Sequence, residues 1–222
     1  MTLDIVILGV FVADTAYRAQ RQPRLGETIL GQSFALGPGG KGSNQSVAAG
    51  MAGASVGFIT KLGKDPFADM ALATWKKAGV TCLATQHADD YTGAAYIFVD
   101  ENTGDNAIIV CPGAAATINR SDIDSHAEVI KQCKVLMTQL EQPIDAAEYA
   151  LACARKAGAT TILNPAPAVE LPTSMIALCD FVTPNEIEAE TITGITVNSP
   201  KDAVAAAEAL LAKGAGGAII TL

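Results

Sequence analysis

Short apolar runs alternate with helical patterns along most of this 222-residue chain. Each run has the length of one strand and is bounded by turn residues. This alternation is typical of parallel strands joined by helical crossovers, so that helices cover the sheet. The sequence therefore predicts an α/β fold with a mostly parallel sheet. The predicted strands are residues 5–8, 56–60, 135–138, 161–163, 181–183 and 218–222.

Several helix starts carry capping signals. Ser121 followed by Asp124 predicts a capping box, and Ser199 followed by a proline and Asp202 predicts a capped first turn. Residues 143–156 place apolar side chains on one face, which indicates an amphipathic helix. We expect these helices to pack against the sheet.

Two segments break the alternation and predict a second, small sheet. Residues 15–35 combine turn residues with short β-like pieces, and residues 93–111 have the pattern of a hairpin with a glycine-containing loop. We assign residues 12–37 and 92–111 to a β lid, and residues 1–11, 38–91 and 112–222 to the α/β core. A sheet with one uncovered face must close over a ligand or pair with another subunit.

A glycine-rich run, G-P-G-G-K-G-S-N-Q at residues 37–45, leads directly into an Ala-rich helical stretch. Gly39 and Gly40 lack a Cβ, so the backbone can approach a ligand closely. The free N–H groups of the helix, its dipole, Lys41 and Asn44 would all face the same ligand. The run predicts a site for a ligand rich in oxygen.

The run also resembles three other kinds of glycine-rich segment. A phosphate-binding P-loop is excluded because Ala35 replaces its first glycine and Gly42 stands where the hydroxyl residue should follow the lysine. A dinucleotide site has little support, because the strand that ends at Thr60 and Lys61 has no Asp or Glu at its end to bind a ribose hydroxyl. A turn that only connects strand and helix remains open.

Composition excludes several classes of partner. The net charge of -8 and the lack of a basic stripe argue against nucleic acid and anionic membranes. The N-terminus shows neither a signal peptide nor a membrane span, so we expect a cytoplasmic protein. Five widely spaced cysteines, an odd number, predict reduced thiols.

Six short motifs occur in an order that resembles the ribokinase-like carbohydrate kinase family. The resemblance spans the whole chain and implies a three-layer α/β/α core with a mostly parallel sheet and a small β lid. The motifs are V-A-D at 12–14, L-G-E-T at 25–28, G-G-K-G-S-N-Q at 39–45, Q-L-E-Q-P at 139–143, N-P-A-P-A at 164–168 and T-P-N-E-I-E-A-E at 183–190.

The resemblance implies an ATP-dependent kinase that phosphorylates D-ribose to D-ribose 5-phosphate. It further implies Mg²⁺, room for a monovalent cation such as K⁺, and a homodimer formed through the lid. Asn185 and Thr221 would bind the nucleotide, and Glu188 would hold magnesium through water. The implied sugar ligands are Asp14, the backbone of Gly39 and Gly40, Lys41, Asn44 and Glu141.

The chain departs from the family pattern in two places. Val12 stands where many members carry an asparagine, which leaves open another acceptor such as deoxyribose, a nucleoside or a sugar phosphate. The glycine-rich element that supplies the anion hole and catalytic aspartate would lie beyond Leu222, so no catalytic residue is assigned in this chain. Because residues 218–222 have the pattern of a buried strand, we expect the sequence to be part of a longer protein. An inactive sugar-binding or dimerising fragment is the alternative from a different class.

Overall fold

A computed structural model describes residues 3–87 and 89–222, which build two separate β-sheets and their helices. The strands are β1 (Ile5–Leu8), β2 (Val12–Ala19), β3 (Ser33–Gly39), β4 (Val56–Leu62), β5 (Thr81–Gln86), β6 (Thr92–Asp100), β7 (Asn106–Gly113), β8 (Val135–Thr138), β9 (Thr160–Leu163) and β10 (Phe181–Val182). The helices are α1 (Lys41–Met51), α2 (Pro66–Lys77), α3 (Arg120–Asp124), α4 (Ala127–Gln132), α5 (Ile144–Lys156), α6 (Thr173–Ile176), α7 (Glu186–Thr193) and α8 (Pro200–Ala212).

The larger sheet has the order β10-β9-β8-β1-β4-β5, and each of its strand pairs is parallel. This confirms the predicted parallel α/β sheet. From β1 the chain adds β4 and then β5 on one side. Later it adds β8, β9 and β10 in turn on the other side of β1. The strand order therefore reverses between β1 and β8. A crevice for ligands is expected at the carboxyl ends of two such strands.

Alternate side chains of β1 enter two different cores, so the sheet is the middle of three layers. Val6 and Leu8 belong to the cluster that also contains the apolar face of α5, whereas Ile7 packs in the cluster with Phe58 and Trp75. The predicted amphipathic helix is confirmed as α5. Its buried side chains are Ala146, Ala147, Ala150, Leu151 and Ala154.

The second sheet has the order β3-β2-β6-β7 and comes from the segments predicted to form it. β2 pairs with β6 in parallel, and the two outer pairs are antiparallel. Side chains alternate between the two faces of each strand. Apolar side chains exposed on one face, called here the outer face, are Tyr17, Phe34, Leu36 and Ile109.

Two local predictions were wrong. The capping box uses Asn119 and Asp122, two residues before the predicted Ser121 and Asp124, because the Asp122 side chain accepts from the Asn119 N–H and is also held by Lys61. Residues 218–222 are not a buried strand. They lie beside the outermost strand β10 with a single bridge at Ala218, and side chains there, such as Ile219 and Leu222, are exposed.

Two further sequence expectations concern the membrane and the thiols. Within residues 3–87 and 89–222, every helix is too short or too polar to cross a bilayer. Free thiols are found at Cys82, Cys111, Cys133, Cys153 and Cys179.

Candidate active site

The glycine turn joins the two sheets at the crevice between β1 and β8. β3 ends at Gly39, α1 begins at Lys41, and the intervening Gly40 has φ of 88°. A Cβ on Gly40 would lie 2.5 Å from the carbonyl oxygen of Val10. The turn therefore requires glycine for its conformation and for the close approach of two backbone segments. The prediction of a glycine turn that opens a helix is confirmed.

The amino end of α1 is capped by a residue from a distant part of the chain. Gly40 has no side chain to cap the helix, and instead Oε2 of Glu141 accepts a hydrogen bond from the Lys41 N–H at 2.8 Å. Glu141 lies in the loop that follows β8, so this hydrogen bond links the two sides of the crevice. The positive end of the helix dipole also favours a carboxylate here.

A second carboxylate, Asp14, lies across the turn. Its side chain covers the Cα of Gly39, in the space that a Cβ on Gly39 would occupy. Burial raises the pKa of Asp14. Burial also raises the pKa of Glu141, and the charge of Asp14 raises it further. The Lys41 N–H and ammonium have the opposite, smaller effect on this pKa. Two carboxylates and one cation thus share a partly desolvated site.

A cavity of about 390 Å³ opens beside these groups. Its lining combines two charged side chains with apolar ones, which suits a small ligand with both hydroxyl groups and carbon faces. Its lining residues are Lys41, Ile108, Val110, Pro112, Leu140, Glu141 and Pro167. Asn44, the remaining predicted sugar ligand, is in the first turn of α1, and its side chain is exposed.

α1 is fixed from behind by a buried contact. The indole Nε1 of Trp75 on α2 donates to Oγ of Ser43 at 2.9 Å. Trp75 is fully buried and packs edge-on against Phe11 and Phe58. Because core side chains in such packing have little freedom, the first turn of α1 has a well-defined position relative to the sheet.

The predicted nucleotide and metal residues lie together at another place, the amino end of α7. Asn185 caps this helix by accepting from the Glu188 N–H at 2.8 Å, and Glu188 accepts from the Asn185 N–H at 2.9 Å. Thr221 donates its N–H to the carbonyl oxygen of Pro184 at 3.0 Å. The described part of the chain contains no cluster of three or more His, Cys, Asp or Glu side chains suited to a metal ion.

Sequence reasoning missed three kinds of contact at the crevice. Ile108 and Val110 line the cavity from β7, and their period-two spacing was the available signal. Gln139, which follows β8, is fully buried, and its side-chain amide donates to Gln45. Asn164 then accepts from Gln45 at 3.4 Å. No local pattern predicts the two amide contacts, because their partners are far apart in sequence.

A slightly larger cavity, about 410 Å³, lies between α5 and the short helices α3 and α4. It is lined by residues of α3, α4 and α5, including Tyr149 and Cys153, and not by strand ends. Tyr149 already donates to Asp124 there at 2.8 Å. The crevice, where backbone donors, a cation and two carboxylates converge, is the better candidate for chemistry.

Known proteins resemble this chain over almost its whole length. A family model described as "pfkB family carbohydrate kinase" matches residues 2–222. A deoxyribokinase of Salmonella typhimurium is 36% identical over 222 residues, which are 99% of this chain and 72% of that protein. A ribokinase of Mus musculus is 38% identical over 220 residues, 98% of this chain and 68% of that protein. The solved structure of a ribokinase from Giardia lamblia covers 100% of this chain and 70% of its own, with 28% identity and a TM-score of 0.88.

Proposed function

Because this chain belongs to the pfkB family of carbohydrate kinases and is therefore an ATP-dependent sugar kinase, we propose that its acceptor is D-ribose. The reaction transfers the γ-phosphoryl group of ATP to the primary hydroxyl and gives D-ribose 5-phosphate. One observation carries the proposal: Asp14, Glu141 and the glycine turn converge on one crevice. Ribokinases among the relatives support ribose as the acceptor.

In this proposal the crevice binds the sugar through complementary donors and acceptors. Asp14 and Glu141 accept from sugar hydroxyls, while Lys41 and Asn44 donate to sugar oxygens. The bare backbone at Gly39 lets the sugar approach closely. Such groups fix the hydroxyl for attack, so positioning supplies much of the catalysis.

The amino end of α7 would bind the phosphate donor. Asn185 and Thr221 are the proposed nucleotide contacts, and Glu188 is the proposed magnesium ligand through water. The residues fit a hydrated ion better than a direct site, because Glu188 already accepts from a backbone N–H and is only 7% exposed. Bound Mg²⁺ would neutralise charge on the phosphates. We assign no residue of this chain to a K⁺ site.

The second sheet would act as a lid over the crevice and as a dimer contact. Ile108 and Val110 on β7 already line the cavity from the lid side. On the outer face, Phe34 is 57% exposed and Ile109 is 63% exposed. Exposed apolar patches of this kind commonly mark an interface, and a second copy of the same sheet would cover this one. We expect the protein to act in the cytoplasm.

A second candidate acceptor is deoxyribose, and Val12 favours it. Val12 is 4% exposed and lies two residues before Asp14 on the same strand, so both side chains are on one face. A valine can offer no hydrogen bond to a sugar hydroxyl, and a sugar with one hydroxyl fewer would lose nothing there. The deoxyribokinase relative supports the same candidate.

Binding and turnover of ribose by the wild type and by Asp14→Ala test the proposal. In the complete protein we expect the wild type to phosphorylate ribose, and the variant to lose sugar binding while still binding ATP. Unchanged ribose affinity in the variant would refute the role of Asp14. Faster turnover of deoxyribose would favour the second acceptor, and Val12→Asn should then shift the preference toward ribose. Sugar binding without any turnover would instead support a sugar-binding protein.

A further inference from the structure

A row of side-chain amides crosses the carboxyl ends of adjacent strands. Gln139 follows β8 and donates to Oε1 of Gln45, which reaches over from α1. Gln45 Nε2 donates to Oδ1 of Asn164, after β9, at 3.4 Å. Asn164 Nδ2 then donates to the carbonyl oxygen of Thr183, after β10, at 2.9 Å. The row runs in one direction from β8 to β10.

The row joins the two groups of predicted site residues. Gln45 directly follows Asn44 in α1, one turn after Lys41. At the other end, Thr183 is two residues before Asn185, the cap of α7. The carbonyl of Pro184, between them, accepts a hydrogen bond from the Thr221 N–H. Two hydrogen bonds therefore fix the turn into α7, one donated by Asn164 and one donated by Thr221.

The chemistry of the row suits amides. Gln45 and Asn164 each accept one hydrogen bond and donate another, which a carboxylate, an ammonium or an apolar side chain cannot do. Room for the first amide is made by two glycines, since a Cβ on Gly9 or Gly42 would clash with Oε1 of Gln139. That oxygen is buried without a hydrogen-bond partner. An unpaired buried acceptor is costly, so filling space alone does not account for this amide.

We propose that Gln45 and Asn164 are positioning residues that couple occupancy of the acceptor crevice to the placement of the turn at residues 183–185. The inference rests on the proposed function, in which α1 binds the acceptor and α7 the phosphate donor. Sugar bound to Lys41 and Asn44 restrains the first turns of α1. Gln45 and Asn164 pass that restraint to the Thr183 carbonyl, and so to the cap of α7.

Hydrogen exchange of the backbone amides in residues 183–188 tests the coupling. Two variants break the row at different bonds: Gln45→Leu removes both bonds of Gln45, and Asn164→Asp keeps the acceptor for Gln45 but loses the donor to Thr183. One hydrogen bond is worth about 0.5–1.5 kcal/mol, so we expect exchange in residues 183–188 to rise roughly 2- to 12-fold in either variant. Ribose should slow exchange there in the wild type and leave it unchanged in both variants.

Gln86→Leu is the matched control, because Gln86 ends β5 and its side-chain amide donates to the Gly63 carbonyl, outside the row. It should leave exchange in residues 183–188 at the wild-type rate. Wild-type exchange in both row variants would overturn the proposal, and so would equal acceleration in every strand, which shows a merely structural role. The ligand-free comparison needs neither turnover nor bound sugar. Failure to phosphorylate ribose would therefore count against the proposed function and leave this result intact.

Discussion

The carboxylate of Asp14 lies directly over the Cα of Gly39, where every residue but glycine carries its Cβ. Gly39→Ala must therefore displace Asp14. Loss of one hydrogen bond to a charged group costs about 1.5–3 kcal/mol, so we expect sugar affinity to fall roughly 10- to 150-fold. Isothermal titration with ribose measures the loss.

Gly37→Ala is the control for that substitution. Gly37 lies in the same strand, and a Cβ there would have no atom within 4 Å. Its affinity should match the wild type. Equal affinity in Gly39→Ala would show that the position of Asp14 over Gly39 does not matter for binding.

The pH dependence of stability should reveal the buried carboxyl of Glu141. Burial raises its pKa above the ordinary 4.5, so the folded protein holds this proton more tightly than the unfolded chain. The associated stability is full below pH 4.5 and is lost as pH rises through the folded pKa. Glu141→Gln keeps an acceptor oxygen for Lys41 but does not titrate. Urea unfolding should therefore show that the wild type loses stability relative to this variant as pH rises.

Glu27→Gln provides a comparison of opposite sign. Arg21 and the Arg24 N–H lower the pKa of Glu27 to about 2. Stability from this carboxylate is present above the ordinary carboxyl pKa and is lost as pH falls. The effect should weaken with added salt, because the pair is exposed. For each variant, the quantity to follow is the difference in unfolding free energy between the wild type and the variant. If this difference changed with pH in the same direction for Glu141→Gln and Glu27→Gln, the assigned pKa shifts would be contradicted.

The buried ion pair between Lys61 and Asp122 should matter more for stability than an exposed pair. Lys61 Nζ lies 2.8 Å from Asp122 and 2.9 Å from the Thr117 carbonyl, and its side chain is 7% exposed. Lys61→Met leaves a largely buried carboxylate unpaired, which costs about 3–5 kcal/mol. Denaturant unfolding measures the difference.

Lys134→Met is the matched control, since Lys134 pairs with Asp4 at 2.7 Å but is 79% exposed. Exposed pairs contribute about 0–1 kcal/mol. Similar losses in the two variants would show that Lys61 is not held as tightly as its contacts imply.

The outer face of the second sheet should control assembly. Phe34 packs against Tyr17 with ring centroids 5.2 Å apart and remains half exposed. Phe34→Lys places a charge within a contact that excludes water, so we expect a dimer to become a monomer. Sedimentation velocity measures the change. Val204→Lys, at an exposed apolar position on α8, should have no effect. A monomeric wild type, or a dimeric Phe34→Lys, would contradict the proposed interface.

The sequence predicts elements well where a local pattern decides them. The apolar face of α5 and the turn at Gly40 are confirmed because periodicity and glycine chemistry act over a few residues. β5 was missed. Its segment T-C-L-A-T-Q is mostly exposed and lies beside β4 at the edge of the sheet, so its strand pattern is weak.

The capping box shows why a local signal can fail. Asn119 with Asp122 and Ser121 with Asp124 have the same spacing, so the sequence allows either pair. Asp122 also meets Lys61, and that long-range contact favours the first pair. The bond between Glu141 and the Lys41 N–H joins residues 100 positions apart, and only the family resemblance placed the two in one site.

β7 presents Ile108 and Val110 to the cavity and Ile109 to the opposite face of the same sheet. Adjacent residues of β7 therefore contact different surroundings. In the proposed function, in which the cavity binds the acceptor and the outer face forms the dimer contact, random libraries at Ile108 and Val110 should change acceptor preference, and a library at Ile109 should change self-association without reshaping the pocket. Acceptor preference and self-association can thus be engineered separately through adjacent residues of a single strand.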